Sequence, residues 1–546
     1  MSPPPATHVA TLGEKPGATT EKSPSIRADL VPIAIAAGVG ALLTAIELGT
    51  RSLWLDEGAT FAIVSQHGAA LWRAIAHDGG NMLLYYLVMH VIVAWVGDAA
   101  WVMRLPSVIA TAASGGLVAA TALRLFPGNR RLATAAGLLA VVSLPLVFWG
   151  QNARGYAWIV TLSLGSFLAF IAILQTPPDR APSRPAIAGY VLTTLAALYV
   201  GYDAALMIPA QLVLLPLFRE RARLVIGCLA LVALLCVPLL VLAAERGSGQ
   251  LFWVLPLSWQ IAGQSTLIVL SAAVPPSFHR TATTVPTAIV VGLAVITGLA
   301  VAGRAAFTAL RDGRGRESWP LLMLLSWLLV PTVLTLIAYA AGEPIELWRV
   351  AILELPPLAL LMAWLLMRPA VAPALGIAGV AVLLALRLLQ VIPSYGVSSE
   401  PWKAAAAYVV RSTPADRPAC IAFYPQDGRE PFDYYLLRAA ASTGAAGGVA
   451  PGLRSVLPVL PWRTVRPYVE VYGTLSTGQL ALIATQCPRL WLVASHKGQA
   501  GGTHQSLVNL RRYQQLQQDL RALYPHTAAR TFGWASPIHV LLLSHS

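Results

Sequence analysis

The chain has 546 residues, 56% hydrophobic and only 11% charged, with a formal net charge of +14 at pH 7 and a mean hydropathy of +0.65. A water-soluble chain carries about a quarter charged residues to cover its surface, so a soluble globule is excluded. The basic excess is almost all Arg set in short hinges between apolar runs. That placement is the orientation signal of membrane insertion, not a nucleic-acid-binding face.

Residues 1–29 are rich in Pro, Thr, Ser and Ala, cannot bury enough surface to fold, and predict a disordered cytoplasmic tail. Leu30–Leu48 is apolar with no small-residue cleavage site after it, which predicts a first span and not a removed signal peptide. Crossing the hydrocarbon core takes about 20 apolar residues. Eleven α-helical spans are predicted, near 30–48, 105–123, 132–149, 156–174, 187–201, 203–218, 224–243, 284–303, 318–340, 351–367 and 371–391. Met82–Val96 is apolar but short, and is predicted to be interfacial or re-entrant within one outer loop, 49–103. The hinges then alternate. Arg124, Arg130 and Arg131, Arg180 and Arg184, Arg219 to Arg223, Arg304 to Arg316, and Arg368 fall on one side, and nearly uncharged hinges on the other. By the positive-inside rule the N-terminus is cytoplasmic and the C-terminus extracytoplasmic.

The transmembrane domain, 30–393, has a second outer loop at 244–283, where Trp253, Trp259, Pro275 and Pro276 suit either an interfacial lid or plain surface packing. From residue 394 to 546 the composition changes. Strand-like runs at Ala419–Tyr424, Leu490–Ala494 and His539–Leu543 alternate with helical patterns at Lys403–Arg411 and Ser506–Leu523. This predicts an extracytoplasmic α/β domain on a small parallel sheet. Cys228 and Cys236 share an apolar span and read as packing residues. Cys420 and Cys487 are either free thiols or, if the domain is exported, a disulfide.

The residues able to do chemistry collect at the outer ends of the spans. Asp56 and Glu57 leave the first span as adjacent carboxylates in a chain with few acids, and an ionisable group at a membrane boundary is a functional candidate. The plainer reading makes them water-facing acids, or the cap of a helix starting near Thr60. The same loop carries His77, Asp78, Asn81, Tyr85 and Tyr86, and Arg104 opens the second span. Singly, each tyrosine reads as an interfacial anchor and Arg104 as a boundary charge.

Together the order Trp54-Leu55-Asp56-Glu57-Gly58, His77-Asp78-Gly79-Gly80-Asn81 with Tyr85-Tyr86, and Arg104-Leu105-Pro106-Ser107 resembles membrane glycosyltransferases of the GT-C class. The similarity is to the branch of protein O-mannosyltransferases and aminoarabinose lipid A transferases. Gln151-Asn152-Ala153-Arg154-Gly155-Tyr156, Trp348-Arg349-Val350, Pro401-Trp402-Lys403 and Phe432-Asp433-Tyr434-Tyr435-Leu436 extend the resemblance along most of the chain. Met82-Leu83, Asn152 and Val350 depart from the family's usual Pro-Pro, Glu and Tyr.

The resemblance implies a polytopic GT-C fold and an inverting enzyme that takes its sugar from a polyprenyl-phosphate donor. Asp56 would be the general base and Glu57 an auxiliary acid. Arg349, then Arg154 and Arg104, would hold the donor phosphate, and His77, Asp78, Asn81 and Tyr85 would line the substrate pocket. No cofactor is implied, and metal dependence stays open. The Ala-, Gly- and Arg-rich composition suggests a GC-rich, actinobacterial source. The expected donor is therefore polyprenyl-phosphate mannose, with arabinose as the alternative, and the expected acceptor a cell-envelope glycan or lipoglycan such as lipoarabinomannan. The rival classes are a lipid or sugar flippase, which places charges in mid-span, and a non-catalytic scaffold.

Overall fold

The computed structural model describes residues 26–246, 254–273, 280–343, 345, 347–398, 400–414, 416–442, 452–459, 472–534 and 536–545. The expected tail up to residue 25, and Trp253, Pro275 and Pro276 of the second outer loop, lie outside these residues. The membrane half begins with α1 (Ile26–Ala45), α2 (Leu55–Val64), α3 (Gly68–His77), α4 (Leu83–Val96), α5 (Ala100–Leu125), α6 (Arg130–Val141), α7 (Leu144–Gly150), α8 (Tyr156–Leu174) and α9 (Arg184–Val200). It continues with α10 (Met207–Leu212), α11 (Arg219–Leu235), α12 (Val237–Arg246), α13 (Trp259–Val269), α14 (Thr284–Arg311), α15 (Trp319–Ala340), α16 (Leu347–Val350), α17 (Leu355–Met367) and α18 (Pro373–Ser394).

Among the described residues seven helices are long and apolar enough to cross a membrane, or nine if each of the bent pairs α6–α7 and α11–α12 is one span. The pairs bend by 62° and 52°, at breaks followed by Pro145 and Pro238, each the second residue of the helix that restarts. Proline suits that position because its missing N–H is unpaired there anyway. The other two expected spans fall on α9 and on the helical run Tyr202–Leu217, both shorter. The 14 residues of α4 extend about 21 Å at 1.5 Å per residue, short of a hydrocarbon core of about 30 Å.

Lipid gives apolar helices little reason to associate, so small residues and buried hydrogen bonds do the joining. A Cβ on Gly115 of α5 would lie 2.4 Å from Val141 Cγ1 and 2.9 Å from the Ala36 carbonyl oxygen. Only glycine lets α1, α5 and α6 approach so closely. Ser114 and Thr161 share a hydrogen bond of 2.8 Å between α5 and α8. Tyr190 of α9 donates to Gln211 at 2.8 Å, and Gln211 donates to Ser166 of α8 at 3.1 Å.

The basic hinges meet one another at one end of the bundle. Arg130 pairs with Asp29 at 2.8 Å, Gln175 donates to the Arg124 carbonyl at 2.7 Å, and Arg316 pairs with Glu220. Arg221 donates to the carbonyls of Thr176, Pro177 and Arg180. Asn129 donates to the Met367 carbonyl at 3.2 Å.

At the other end sits a small sheet domain built from α19 (Trp402–Arg411), β1 (Ala419–Tyr424), α20 (Arg429–Ser442), β2 (Leu453–Leu457), α21 (Thr477–Gln486), β3 (Arg489–Ala494), α22 (His504–Leu523), β4 (His526–Phe532) and β5 (Ile538–Ser544). The strand order is β2-β1-β3-β5-β4. Strands β2, β1 and β3 run parallel, whereas β5 is antiparallel to both β3 and β4. The sheet is therefore mixed, which corrects the expectation of a parallel one. The helical crossovers through α20 and α21 precede the parallel strands β2 and β3, but β4 turns straight into β5 near Gly533 at φ 77°, and so short a link allows only antiparallel pairing.

Side chains of β1 alternate between two cores. Cys420, Ala422 and Tyr424 pack toward α21 and α22, while Ala419, Ile421 and Phe423 pack toward α19 and α20. Burial on both faces explains why this strand reads as a continuous apolar run. The Cys420–Cys487 disulfide is formed, Cα–Cα 5.7 Å, and Cys228 and Cys236 are buried free thiols.

The sheet domain rests on the outer-loop helices through α20. Phe61 of α2 meets the Tyr434 ring edge-on at 5.1 Å. The Leu53 N–H donates to the Tyr435 hydroxyl at 2.6 Å. A Cβ on Gly58 would sit 2.6 Å from Pro431 Cδ, so the glycine after the two acids permits this contact.

Candidate active site

Helix α2 starts one residue before Asp56, with Trp54 in an extended conformation at its N-cap and no side-chain cap of its own. Its first N–H, on Leu55, is taken instead by Glu400 Oε2 of the sheet domain at 2.9 Å. The helix therefore begins before the two acids and not near Thr60. Asp56 and Glu57 stand in the first turn, where the helix dipole favours negative charge, and successive residues on a helix face different ways.

The two carboxylates have different surroundings. Glu57 is completely buried and forms a two-pronged pair with Arg104, Nε to Oε1 at 2.8 Å and Nη2 to Oε2 at 2.7 Å. It also accepts from the Ala153 N–H at 2.8 Å. Arg104 spends its remaining donors on the carbonyls of Leu48, Arg51 and Ser52. Neither side chain lines the cavity beside Asp56. Arg104 and Glu57 are thus paired with each other beside the cavity and not on its wall.

Asp56 faces a cavity of about 530 Å³ between the outer-loop helices and the sheet domain. Its Oδ2 lies 3.2 Å from Arg349 Nη1 and 3.7 Å from Arg154 Nε. Burial alone would raise its pKa, but the Arg349 and Arg154 guanidiniums outweigh burial and hold it below the usual carboxylate range. The structure therefore brings together three residues from the first outer loop, the α7–α8 hinge and α16.

Each arginine is itself held. Arg349 donates to the Tyr156 hydroxyl at 3.0 Å, and its guanidinium lies 5.4 to 5.8 Å from the ring centres of Trp348, Tyr156 and Trp54. Trp348 in turn stacks on Trp149 at 5.3 Å and 7°. Such a cage attracts a cation through the ring faces while limiting its freedom. Arg154 donates to the Tyr86 hydroxyl at 3.0 Å, and Tyr86 donates to Asp78 Oδ2 at 3.1 Å.

The turn after α3 carries Asp78 and Asn81 to the cavity wall. Gly79 and Gly80 have φ of 69° and 75°, the left-handed region that glycine adopts freely. Burial pushes the Asp78 carboxyl up to about 6, against the pull of Arg154. His77 is exposed and faces Arg246 at 3.3 Å, and it does not line the cavity. Tyr85 is buried against Trp158. Its neighbour Tyr86 is the tyrosine that meets Arg154. Trp259 of the second outer loop is 95% exposed and does not line the cavity either.

The sheet domain supplies residues that local sequence did not signal. Glu400, Asp427, Glu430 and His496 line the same cavity. Asp203 joins them from the membrane half. His496 Nε2 lies 3.3 Å from Glu400 Oε1. Although burial opposes its charge, Glu400 and then Asp427 raise its pKa to about 9. Burial pushes Asp427 up to about 7. One available signal was position: His496 follows β3, and ligands gather beyond the carboxyl ends of parallel strands. Among the described residues no group of three or more His, Cys, Asp or Glu is arranged to hold a metal ion.

No protein-family model matches the chain, and no curated protein matches it in sequence. Solved structures do match in fold. ArnT from Cupriavidus metallidurans bound to undecaprenyl phosphate superposes with a TM-score of 0.55 at 13% identity, covering 93% of this chain and 97% of that one. The apo state of the same protein gives 0.52 at 14% identity, with the same coverage. The archaeal oligosaccharyltransferase AglB from Archaeoglobus fulgidus, in complex with an inhibitory peptide and a dolichol-phosphate, gives 0.51 at 10% identity, covering 86% of this chain and 69% of that one. The chain thus has the GT-C glycosyltransferase fold, a helical membrane half carrying a small C-terminal sheet domain.

Proposed function

We propose that this GT-C-fold protein is an inverting glycosyltransferase that moves a sugar from a polyprenyl-phosphate donor to a cell-envelope acceptor. The carrying observation is one carboxylate, Asp56, held between two guanidiniums at 3.2 and 3.7 Å on the wall of the cavity. Supporting it is the fold shared with a protein bound to undecaprenyl phosphate. Asp56 takes the proton of the acceptor hydroxyl as its oxygen bonds to the anomeric carbon. The bond from that carbon to the phosphate oxygen breaks, and polyprenyl phosphate leaves with the electron pair. A positioned base contributes about 10²- to 10⁴-fold.

Arg349 and Arg154 bind the phosphate and stabilise the charge it gains on leaving, because planar guanidiniums suit phosphate oxygens. Their sharing with the donor also explains how a carboxylate of low pKa becomes a base. Before the donor binds, both cations stabilise ionised Asp56. Once they turn to the phosphate, and the phosphate adds its own negative charge, the proton affinity of Asp56 rises. Glu57 and Arg104 are assigned as a positioning pair that fixes the start of α2. Asp78 and Asn81 are assigned to the substrate pocket, and Tyr86, behind the wall, to holding Arg154 and Asp78 in place through its hydroxyl.

The carboxyl groups of Asp56, Asp78, Asp203, Glu400, Asp427 and Glu430 give the cavity an acceptor-rich wall suited to a polyhydroxylated ring. The proposed sugar is mannose, with arabinose as the alternative, and the proposed acceptor a lipoglycan. The protein is assigned to the plasma membrane with the N-terminus cytoplasmic and the sheet domain outside. The basic hinges support this, since they meet at the end of the bundle away from the site.

The test is transfer by purified protein in detergent from a panel of polyprenyl-phosphate sugars, mannose and arabinose first, to a lipoglycan acceptor. Label should move from one donor and not from nucleotide sugars. Label moving only from nucleotide sugars, or from no donor at all, would sink the proposal.

A further inference from the structure

A second groove, of about 560 Å³, opens where the sheet domain meets the start of α5, and shares no lining residue with the cavity. Its floor is apolar, formed by Ala100 against Ala406, Ala407 and Val410 of α19. Its basic groups come from both halves of the molecule: Arg51 from the membrane half, and Lys403, Arg411 and Arg438 from the sheet domain. Lys403, Ala407 and Arg411 are spaced by four residues and share one face of α19. The opposite face, with Trp402, Ala405 and Val409, is buried in the domain core. Arg438 is paired with Asp98 at 2.5 Å, and of the acids Glu57, then Glu47, act on Arg51, Glu57 being already neutralised by Arg104. Two acids against four bases leave the groove positive.

The groove also continues toward lipid. Trp101, Leu105 and Ile109 of α5 are all exposed, are spaced by four residues, and run as one apolar stripe down a candidate span. Tryptophan at that level is a membrane–water interface anchor. A positive pocket at the interface above an exposed apolar stripe matches an amphiphile with an anionic head and hydrocarbon tails.

We propose that this groove binds an anionic phospholipid of the surrounding bilayer, its phosphate between Arg51, Lys403 and Arg411 and its acyl chain along Trp101, Leu105 and Ile109. The lipid joins the two halves of the protein. Arg51 heads the segment that carries Trp54 and Asp56 into the cavity, and the Lys403 N–H donates to Ser52 Oγ at 3.1 Å on that same segment. An occupant of the groove therefore steadies the loop that bears the proposed base. The site is independent of the transferase reading and stands or falls without it.

The experiment uses the full chain in detergent, titrated separately with phosphatidylglycerol, phosphatidylcholine, inorganic phosphate and undecaprenyl phosphate, and read by native mass spectrometry and thermal unfolding. Phosphatidylglycerol should bind and raise the unfolding temperature, while phosphatidylcholine and inorganic phosphate should not. The Lys403→Gln/Arg411→Gln variant should weaken phosphatidylglycerol binding roughly 10- to 30-fold. Its unfolding temperature without lipid, which both exposed side chains leave unchanged, should match wild type. Equal effects of phosphatidylglycerol and phosphatidylcholine would overturn the site, as would unaltered binding by the variant. Stabilisation by inorganic phosphate would show an anion site without lipid. Displacement of phosphatidylglycerol by undecaprenyl phosphate, with the same sensitivity to the variant, would make the groove a donor-lipid site and refute the assignment.

Discussion

Replacing Asp56 by Asn separates the two roles that the geometry gives this carboxylate. The amide keeps the shape but can neither take a proton nor repel a phosphate. Loss of the base should lower turnover about 10²- to 10⁴-fold. Binding of the leaving lipid should move the other way. A phosphate gripping the guanidiniums that lie 3.2 and 3.7 Å from Asp56 would sit on the order of 6 Å from the carboxylate. There the repulsion of two unit charges is about 3 kcal/mol at an effective dielectric of about 20. Asp56 is 22% exposed and water screens part of this, so about half remains, and undecaprenyl phosphate should bind Asp56→Asn about tenfold more tightly than wild type. The assays are single-turnover transfer of radiolabelled sugar and equilibrium binding of undecaprenyl phosphate to the same preparation. A purely structural role for Asp56 would weaken both. Turnover within threefold of wild type, or weaker lipid binding, would refute the reasoning.

Arg349→Lys keeps the charge but loses the planar fork inside the cage of Trp54, Tyr156 and Trp348, so kcat/KM should fall about 10- to 100-fold at unchanged stability, measured by initial rates and thermal unfolding. Arg104→Met leaves Glu57 buried with one remaining hydrogen bond, from Ala153, and should destabilise the protein by about 3–5 kcal/mol in denaturant titration. The His496 pKa is raised to about 9 by Glu400 despite burial. Its contribution to stability is therefore complete below the unfolded pKa of about 6.5 and is lost as pH rises through about 9; His496→Gln should flatten that alkaline limb in unfolding measured across pH. The Cys420–Cys487 bridge spans 67 residues, for which loop closure contributes about 4 kcal/mol. Cys420→Ser/Cys487→Ser should unfold the sheet domain at correspondingly lower denaturant.

How far the sequence carries differs from element to element. Strands β1, β3 and β5 were legible because burial on one or both faces leaves apolar runs. Strand β4 was not. Six of its seven residues are exposed, and it is an edge strand held by backbone bonds to β5, so it shows no apolar pattern. The reversal of β5 lay in a short turn that hydropathy does not register. At the site, Asp56 and Glu57 stood out because acids are scarce at the ends of apolar runs, whereas Arg154, Arg349 and Arg104 stood out through the family resemblance of the motifs that carry them. Glu57 and Arg104 nevertheless neutralise each other beside the cavity. Scarcity marks a charge as meaningful without saying what it meets. His496, Asp427 and Glu400 left no such mark, because charged residues are ordinary in a water-facing domain.

The membrane character, the approximate spans, the side on which the basic hinges gather and the presence of a C-terminal α/β domain all followed from the sequence alone. Each depends on the hydropathy of a contiguous stretch, and transfer from water is roughly additive along the chain. The tertiary structure alone decided that Arg349 and Arg154 meet Asp56, that Arg104 meets Glu57, and that the sheet domain closes the cavity with its own carboxylates and histidine. Those outcomes depend on which helix faces approach within a few ångströms, where Coulomb attraction and desolvation nearly cancel and geometry settles the balance. No local pattern encodes that distance.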